Sequence, residues 1–290
     1  MEYDNMPQSS NIEDRRGQGG GLPIGGGGLG IGGILIVFAI SYFTGINPMV
    51  LLGGAEMVTR STNGGSTQQV SNGPAVDPND PTRQFLSRIM GGTEAVWTQI
   101  LPQQTGVQYT PATLVIYDGA TRSGCGGAQA AMGPFYCPLD KKVYLDTSFF
   151  RDMKTKYGGG GDFAYAYVVA HEIGHHVQDL LGILDKVDAA KERASQTQAN
   201  ALSVRVELMA DCLAGVWAAN ANEKWRILQQ GDVEKALATA QAIGDDKLQQ
   251  AARGYAVPDS FTHGSSAQRQ KWLTTGLKSG DINACNTLSN

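Results

Sequence analysis

The segment His171-Glu-Ile-Gly-His175 combines residue types and a spacing that could bind a metal ion and use it in catalysis. On a helix, residues four positions apart lie on one face, so both imidazole rings could reach the same ion. Glu172 projects about 100° from His171, which places it beside the ion. Zinc hydrolases use this arrangement, with the carboxylate as general base. The segment therefore predicts a catalytic zinc site.

The residues before this segment support a helix there. Residues 163–170 contain no Gly or Pro and are mostly apolar, as expected for a buried helix that enters an active site. The alternative is an ordinary helix whose polar residues only resemble a ligand set. Two histidines and a glutamate would be costly to bury without partners, so we favour the metal site.

A catalytic zinc site needs a third protein ligand. The chain has four histidines. His176 points about 140° away from His171 and is therefore not favoured. His263 is distant in sequence and could reach the site only through tertiary folding.

Glu207 is the favoured third ligand. It lies in a second helical pattern, from about Ser195 to Asn220, with Asp211 one turn later on the same face. We expect Asp211 to accept a hydrogen bond from a ligand histidine through its other ring nitrogen. The alternative is an exposed helix face that carries ordinary charges.

Three segments together resemble a known family. Residues 170–178, 207–212 and 259–269 are similar to the neutral zinc metallopeptidase family, the YpfJ-like proteins, and the similarity extends from about Arg83 to Cys285. One departure is Met209, where members of the family often have Gln; it lies off the face of the two carboxylates.

The resemblance implies a gluzincin-type zinc peptidase with a zincin-like domain. In that family the residues that match His171, His175 and Glu207 bind Zn2+, and the residue that matches Glu172 is the base. The substrates of the family are poorly defined, so the resemblance informs the chemistry more than the biology.

The residues before this domain predict a membrane anchor. Residues 1–28 are polar and then Gly-rich, which predicts a disordered tail. Residues 29–52 carry no charge and are long enough to cross a bilayer, which predicts a single transmembrane helix. A signal peptide is the main alternative, but the apolar region begins late and lacks a clear cleavage site. Residues 53–81 read as a flexible linker to a metallopeptidase domain over 82–290.

Basic residues suggest an orientation for this anchor. Arg15 and Arg16 precede the apolar segment, and Arg60 is the first basic residue after it. The bias favours a cytoplasmic N-terminus and a catalytic domain in the periplasm or cell exterior.

Cysteine usage agrees with an oxidising compartment. The four cysteines allow three pairings, and none forms a Cys-x-x-Cys motif. We favour Cys125 with Cys137, which closes a short Gly/Pro-rich excursion, and Cys212 with Cys285, which ties the second helix to the C-terminal tail. Four unpaired thiols in a cytosolic domain are the alternative.

The rest of the domain predicts a mostly helical α+β fold with a small sheet. Thr113–Tyr117 and Lys142–Leu145 are rich in β-branched and aromatic residues, which is typical of strands. Further helices are predicted over Asp232–Ile243 and Ser266–Leu277. The strand at Lys142–Asp146 could be a sheet edge that binds an extended peptide by strand addition.

His263 is the leading candidate for stabilising the oxyanion formed during hydrolysis. The alternative is that His263 and Ser266 cap the following helix. Tyr255 is a weaker candidate. The net charge of −4 and the lack of a basic stripe give no reason to expect nucleic-acid binding.

Taken together, the residues predict a membrane-anchored zinc metallopeptidase that acts on peptides or proteins. One alternative is a metal-binding scaffold or assembly factor of the envelope without proteolysis. Another is a non-peptidase zinc hydrolase.

Overall fold

The computed structural model describes residues 1–17, 77, 79–155 and 160–289. The helices are α1 (Pro81–Thr105), α2 (Ser148–Thr155), α3 (Asp162–Leu180), α4 (Ile183–Lys191), α5 (Gln196–Trp225), α6 (Asp232–Ala242), α7 (Asp245–Arg253) and α8 (Ser266–Ser279). The strands are β1 (Ile12–Asp14), β2 (Thr113–Tyr117), β3 (Ala120–Ser123), β4 (Gly126–Gln129), β5 (Phe135–Cys137) and β6 (Lys142–Asp146). Short 3-10 turns lie at Ala130–Met132, Pro258–Ser260 and Ile282–Cys285. The described part is mostly helical α+β with a small sheet, as the sequence predicts.

The main sheet has four strands in the order β1-β2-β6-β5. β1 and β6 are parallel to β2, whereas β5 is antiparallel to β6. Leu114 and Ile116 of β2 face the main core, and Val115 and Tyr117 face a second cluster that includes Ala128 of the β3-β4 hairpin. Because both faces are covered, β2 is an almost continuous apolar run.

The prediction that Lys142–Asp146 forms a sheet edge is wrong. β6 lies between β2 and β5 and pairs with both. The apolar pattern of this segment shows that it is a buried strand, but it cannot show which strands lie beside it. Of the strands in the described part, β1 and β5 form the edges of the main sheet.

Helix α3 packs closely on α5 at a glycine. A methyl group on Gly174 would lie 3.0 Å from the carbonyl oxygen and 3.1 Å from the Cα of Ala210. A larger side chain would therefore push the two helices apart. This close approach brings the face of α3 with His171 and His175 against the face of α5 with Glu207.

Helix α8 also crosses α5 at glycines. A methyl group on Gly276 would lie 1.9 Å from the carbonyl oxygen of Cys212, and one on Gly215 would lie 2.4 Å from that of Leu273. The backbones therefore touch without side chains between them. The Arg269 side chain, in the first turn of α8, reaches the same face of α5 as a result.

Both predicted disulfides are confirmed. Cys125 is bonded to Cys137, and Cys212 to Cys285. The first bond ties the β3-β4 turn to the end of β5, and the second ties α5 to the turn after α8. Structural disulfides of this kind are typical of proteins from oxidising compartments.

The first 17 residues are ordered, so the prediction of a disordered tail over 1–28 is wrong for them; residues 18–28 lie outside the described part. β1 pairs with β2, and the fully buried Met6 side chain packs over Gly92. Arg16 forms ion pairs with Asp14 and with Asp80. Composition predicts disorder here because it does not reveal stabilising partners that are distant in sequence.

The predicted transmembrane helix over 29–52, and the linker up to residue 76, lie outside the described residues. Of the helices in the described part, none is long and apolar enough to cross a bilayer. A single span would also place the residues before and after it on opposite sides of the membrane, yet Ile12–Asp14 pairs with residues 114–116 in one sheet. The fold class is therefore corrected to α+β for the described residues, and a single transmembrane helix before the domain is not supported. The predicted single-pass location, and the orientation derived from it, are not supported.

The packing of the N-terminal segment can be tested with Met6→Ala. Because Met6 is fully buried, its truncation should lower the free energy of unfolding by about 2–5 kcal/mol. Chemical denaturation of the full chain measures this change. Leu139→Ala is the control, since Leu139 is 77% exposed and should change stability little. Equal denaturation midpoints for the two variants would show that Met6 is not part of the core.

Candidate metal centre

Three side chains from α3 and α5 converge on one point. His171 Nε2 lies 3.2 Å from Glu207 Oε2, and His175 Nε2 lies 3.4 Å from Glu207 Oε1. One ligand atom from each of the three residues lies within 4.8 Å of the others. Two imidazoles and a carboxylate are a donor set that suits zinc, and three protein ligands leave one tetrahedral position open. The structure thus groups the three predicted ligands as a possible metal site.

A buried network holds the ring of His171. Its Nδ1 lies 2.8 Å from Oδ1 of Asp211, which is fully buried. Tyr167 donates its hydroxyl proton to the same oxygen at 2.6 Å. Arg269 donates to both carboxylate oxygens, through Nε at 2.8 Å and Nη2 at 2.9 Å. With Nδ1 donating its proton to Asp211, Nε2 is the nitrogen of His171 that could bind a metal ion, after it has lost its own proton.

Asp211 is ionised in spite of its burial. Burial alone would raise its pKa, but the charges of Arg269 and His171 outweigh that effect and hold the pKa below its usual range. Removing one partner from a buried ion pair leaves an uncompensated charge, which is strongly destabilising. Arg269 is therefore part of the support of the site, although the sequence pattern of α8 gave no reason to single it out.

A different group holds the ring of His175. Its Nδ1 lies 2.9 Å from Oε1 of Gln178, one turn later on α3. The amide nitrogen of Gln178 donates to the carbonyl oxygen of Val206 at 2.7 Å. Val206 directly precedes Glu207, so the Gln178 amide joins one predicted ligand to the backbone beside another. The three-residue spacing between His175 and Gln178 is the only sign in the sequence that these two side chains meet.

Glu172 carries a buried carboxylate that has no partner among the described residues. It is 7% exposed, and no hydrogen bond or ion pair joins it to another residue in the part of the chain that the structure describes. Burial raises the pKa of Glu172, and the nearby charges of His171 and His175 oppose this effect. An unpaired carboxylate beside the ligand cluster is able to exchange protons with a bound water or substrate.

The charge of Glu207 balances those of the histidines. Burial would raise the pKa of Glu207, but His175 and His171 outweigh it and hold the pKa well below its usual range. Glu207 is therefore ionised and can act as a metal ligand.

The other two histidines have different surroundings. His176 is buried on the sheet side of α3, where Nε2 lies 2.6 Å from the carbonyl oxygen of Thr110 and Nδ1 lies 2.9 Å from the hydroxyl of Tyr136. The ring of His263 is 53% exposed, in the loop before α8. His263 and Ser266 do not cap that helix, because Ser265 is the N-cap residue.

Tyr255, the weaker candidate for the oxyanion, is 57% exposed. Its ring lies beside the guanidinium of Arg253, 5.2 Å from ring centroid to Cζ. This contact gives Tyr255 no link to the ligand cluster.

Comparison with known proteins agrees with this chemistry. Residues 1–288 match a family described as "Putative neutral zinc metallopeptidase". The "Uncharacterized protein YpfJ" of Escherichia coli is 46% identical over 294 residues, which cover 99% of this chain and 98% of that protein. The "Uncharacterized protein Mb2605" of Mycobacterium bovis is 45% identical over 206 residues, 68% of this chain and 67% of that protein. No solved structure gives a significant match.

The role of Gln178 can be tested by Gln178→Leu. Loss of the amide frees the His175 ring to rotate, so zinc affinity should fall by about 10–100-fold. Competition with a fluorescent chelator measures the affinity. The control is Gln196→Leu, since Gln196 is exposed in the first turn of α5. Equal zinc affinities for the two variants would contradict this role of Gln178.

Proposed function

Since the chain belongs to the neutral zinc metallopeptidase family, we propose that it is a zinc-dependent peptidase with Glu172 as general base. The observation that carries the proposal is the carboxylate of Glu172, which is buried close to three potential zinc ligands and has no hydrogen-bond or ion-pair partner among the described residues. In a site that only binds metal, a buried carboxylate that is not itself a ligand would have no function. Its placement favours catalysis over a scaffold that only binds metal.

In this proposal His171, His175 and Glu207 hold Zn2+. Bound there, zinc would supply a Lewis acid that activates water and polarises a carbonyl group. The histidine rings are already oriented for this purpose by Asp211 and Gln178. A structural zinc is more often enclosed by four protein ligands, whereas this cluster offers three.

Glu172 moves the proton in the reaction. It accepts a proton from the water that attacks the peptide carbonyl and gives that proton to the leaving amine. Burial raises the pKa of Glu172, which favours retention of the proton between the two steps. The negative charge that develops on the carbonyl oxygen needs a donor, and His263 is proposed for that role.

The sheet edge supports a peptide as substrate. β5 lies beside α3, where the hydroxyl of Tyr136 donates to Asp179 at 2.7 Å and contacts His176. The backbone of Phe135–Cys137 pairs only with β6 among the described residues. An extended peptide could pair with this free edge as an added strand. We propose β5, and not β6, as the strand that binds substrate.

Glu172→Gln tests the mechanism directly. Glutamine has a similar shape but cannot take up the proton, so hydrolysis of a casein-type substrate should fall by about 100-fold or more. Zinc content should stay at the wild-type level, because Glu172 is not a ligand. Glu223→Gln is the control on an exposed part of α5.

The outcomes separate the possible functions. Unchanged turnover in Glu172→Gln would exclude Glu172 as the base. A zinc-loaded wild-type chain that cleaves esters but no peptide would indicate a non-peptidase hydrolase. A zinc-loaded chain with no hydrolytic activity would indicate a scaffold.

A further inference from the structure

One carboxylate fastens the loop that precedes α8, Thr262–Gly264. Oδ2 of Asp245, the first residue of α7, accepts the backbone N–H groups of Thr262 at 2.7 Å, His263 at 2.6 Å and Gly264 at 3.1 Å. The N–H of Asp245 donates to the carbonyl oxygen of Gly264 at 2.9 Å. Asp245 is only 7% exposed. The loop therefore has a fixed backbone although its side chains are exposed.

The same carboxylate orients the ring of His263. Oδ1 of Asp245 lies 3.2 Å from Nδ1 of His263, and the hydroxyl of Thr262 lies 3.1 Å from the same nitrogen. Nε2 of His263 has no hydrogen-bond partner in the part of the chain that the structure describes. The ring is thus held by one nitrogen and offers the other to a ligand, as histidines with a carboxylate partner commonly do.

The loop lies against α5 beside the metal cluster. A methyl group on Gly264 would lie 3.2 Å from Cδ2 of Leu208 and 3.3 Å from Cγ1 of Val204. These two residues flank Glu207 on α5. Gly264 has a φ of +94°, which favours glycine, so a side chain there would both strain the backbone and displace the loop from α5.

We propose that Asp245 is a positioning residue, which holds His263 at the metal centre so that Nε2 donates a hydrogen bond to the oxyanion of the peptide substrate. This inference rests on the proposed peptidase function and adds a residue that neither the metal cluster nor the helix pattern indicates. Asp245 does not touch the substrate and acts through His263.

Three charged groups act on His263. Partial loss of hydration opposes the charged form of the half-exposed ring, and so does the charge of Arg269, but the hydrogen bond that the ring donates to Asp245 and the charge of Glu207 outweigh both. The pKa of His263 is therefore raised. His263 stays protonated, and able to donate, to a higher pH than an ordinary histidine. Activity that depends on this proton should be lost as the pH rises through the raised pKa.

The test is Asp245→Asn in the full-length, zinc-loaded chain. Removal of the negative charge should lower the pKa of His263, so the alkaline limb of kcat/KM should move to lower pH. The value of kcat/KM at its optimum should fall by about tenfold or more, because the ring is less firmly placed. Zinc content should not change. Asp245→Glu retains the charge and should restore the wild-type position of the alkaline limb.

Asp246→Asn is the matched control. Asp246 is the neighbouring carboxylate, and its Oδ1 accepts the N–H and the hydroxyl of Ser266, each at 2.7 Å. It fastens the same region but makes no hydrogen bond to His263. We expect this variant to leave the pH profile in place. A shift as large as that of Asp245→Asn would overturn the proposal, because it would indicate a general loosening of the region.

A double variant and a titration complete the test. Asp245→Asn should cause no further loss of activity in a His263→Gln chain, and equal losses in both backgrounds would overturn the proposal. An NMR titration of the His263 ring in the zinc-loaded chain needs no activity. An unchanged His263 pKa in Asp245→Asn would refute the positioning role. If the wild-type chain hydrolyses no peptide, the proposed function fails, while the titration still decides whether Asp245 controls His263.

Discussion

The site depends on donors that compensate the negative charge of one fully buried carboxylate, that of Asp211. An unpaired charge in a protein interior is costly, so the surrounding helices must supply donors. Arg269 of α8 makes two hydrogen bonds to it, and Tyr167 and His171 of α3 make one each. The three helices can meet only because their backbones touch, most closely at Gly276. The hydrogen bonds to Asp211 join the three helices, and one of them also orients the ring of His171.

The two predicted histidine ligands are held by groups of different charge. His171 donates to Asp211, whose charge is shared with Arg269, whereas His175 is held by the neutral amide of Gln178. Groups of this kind set both the orientation and the basicity of a ligand. Neither ring is therefore made as basic as it would be by a carboxylate with no other partner. If zinc binds there as proposed, the two rings would donate less electron density to it, which would favour a more strongly Lewis-acidic metal.

Local periodicity predicted much of the site. Four-residue spacing put His171 with His175 and Glu207 with Asp211, and each pair does lie on one helix face. Periodicity identifies the face of a helix but not what packs against it. Arg269 is therefore absent from the prediction, since it lies 58 residues from its partner and its helix carries other charged residues.

Long-range pairing explains the errors in the fold. The apolar pattern of β6 carries no local sign of its neighbours, so it does not reveal that β2 and β5 lie on either side of it. Residues 1–17 read as disordered because their order depends on a strand about 100 residues later and on ion pairs such as Arg16 with Asp80. Hydropathy alone predicts a membrane span, but it does not reveal that residues on both sides of the apolar segment share a sheet.

In the proposed site, His171, His175 and Glu207 hold zinc and leave one coordination position open. Zinc-edge X-ray absorption of the zinc-loaded chain tests it most directly. We expect a first shell of two imidazole nitrogens and additional oxygen ligands, all about 2.0–2.2 Å from zinc, with no sulfur ligand. Glu207→Ala should reduce the oxygen contribution and the zinc bound per chain. A shell closed by four protein ligands, or a Glu207→Ala spectrum and zinc content identical to wild type, would contradict this arrangement of ligands.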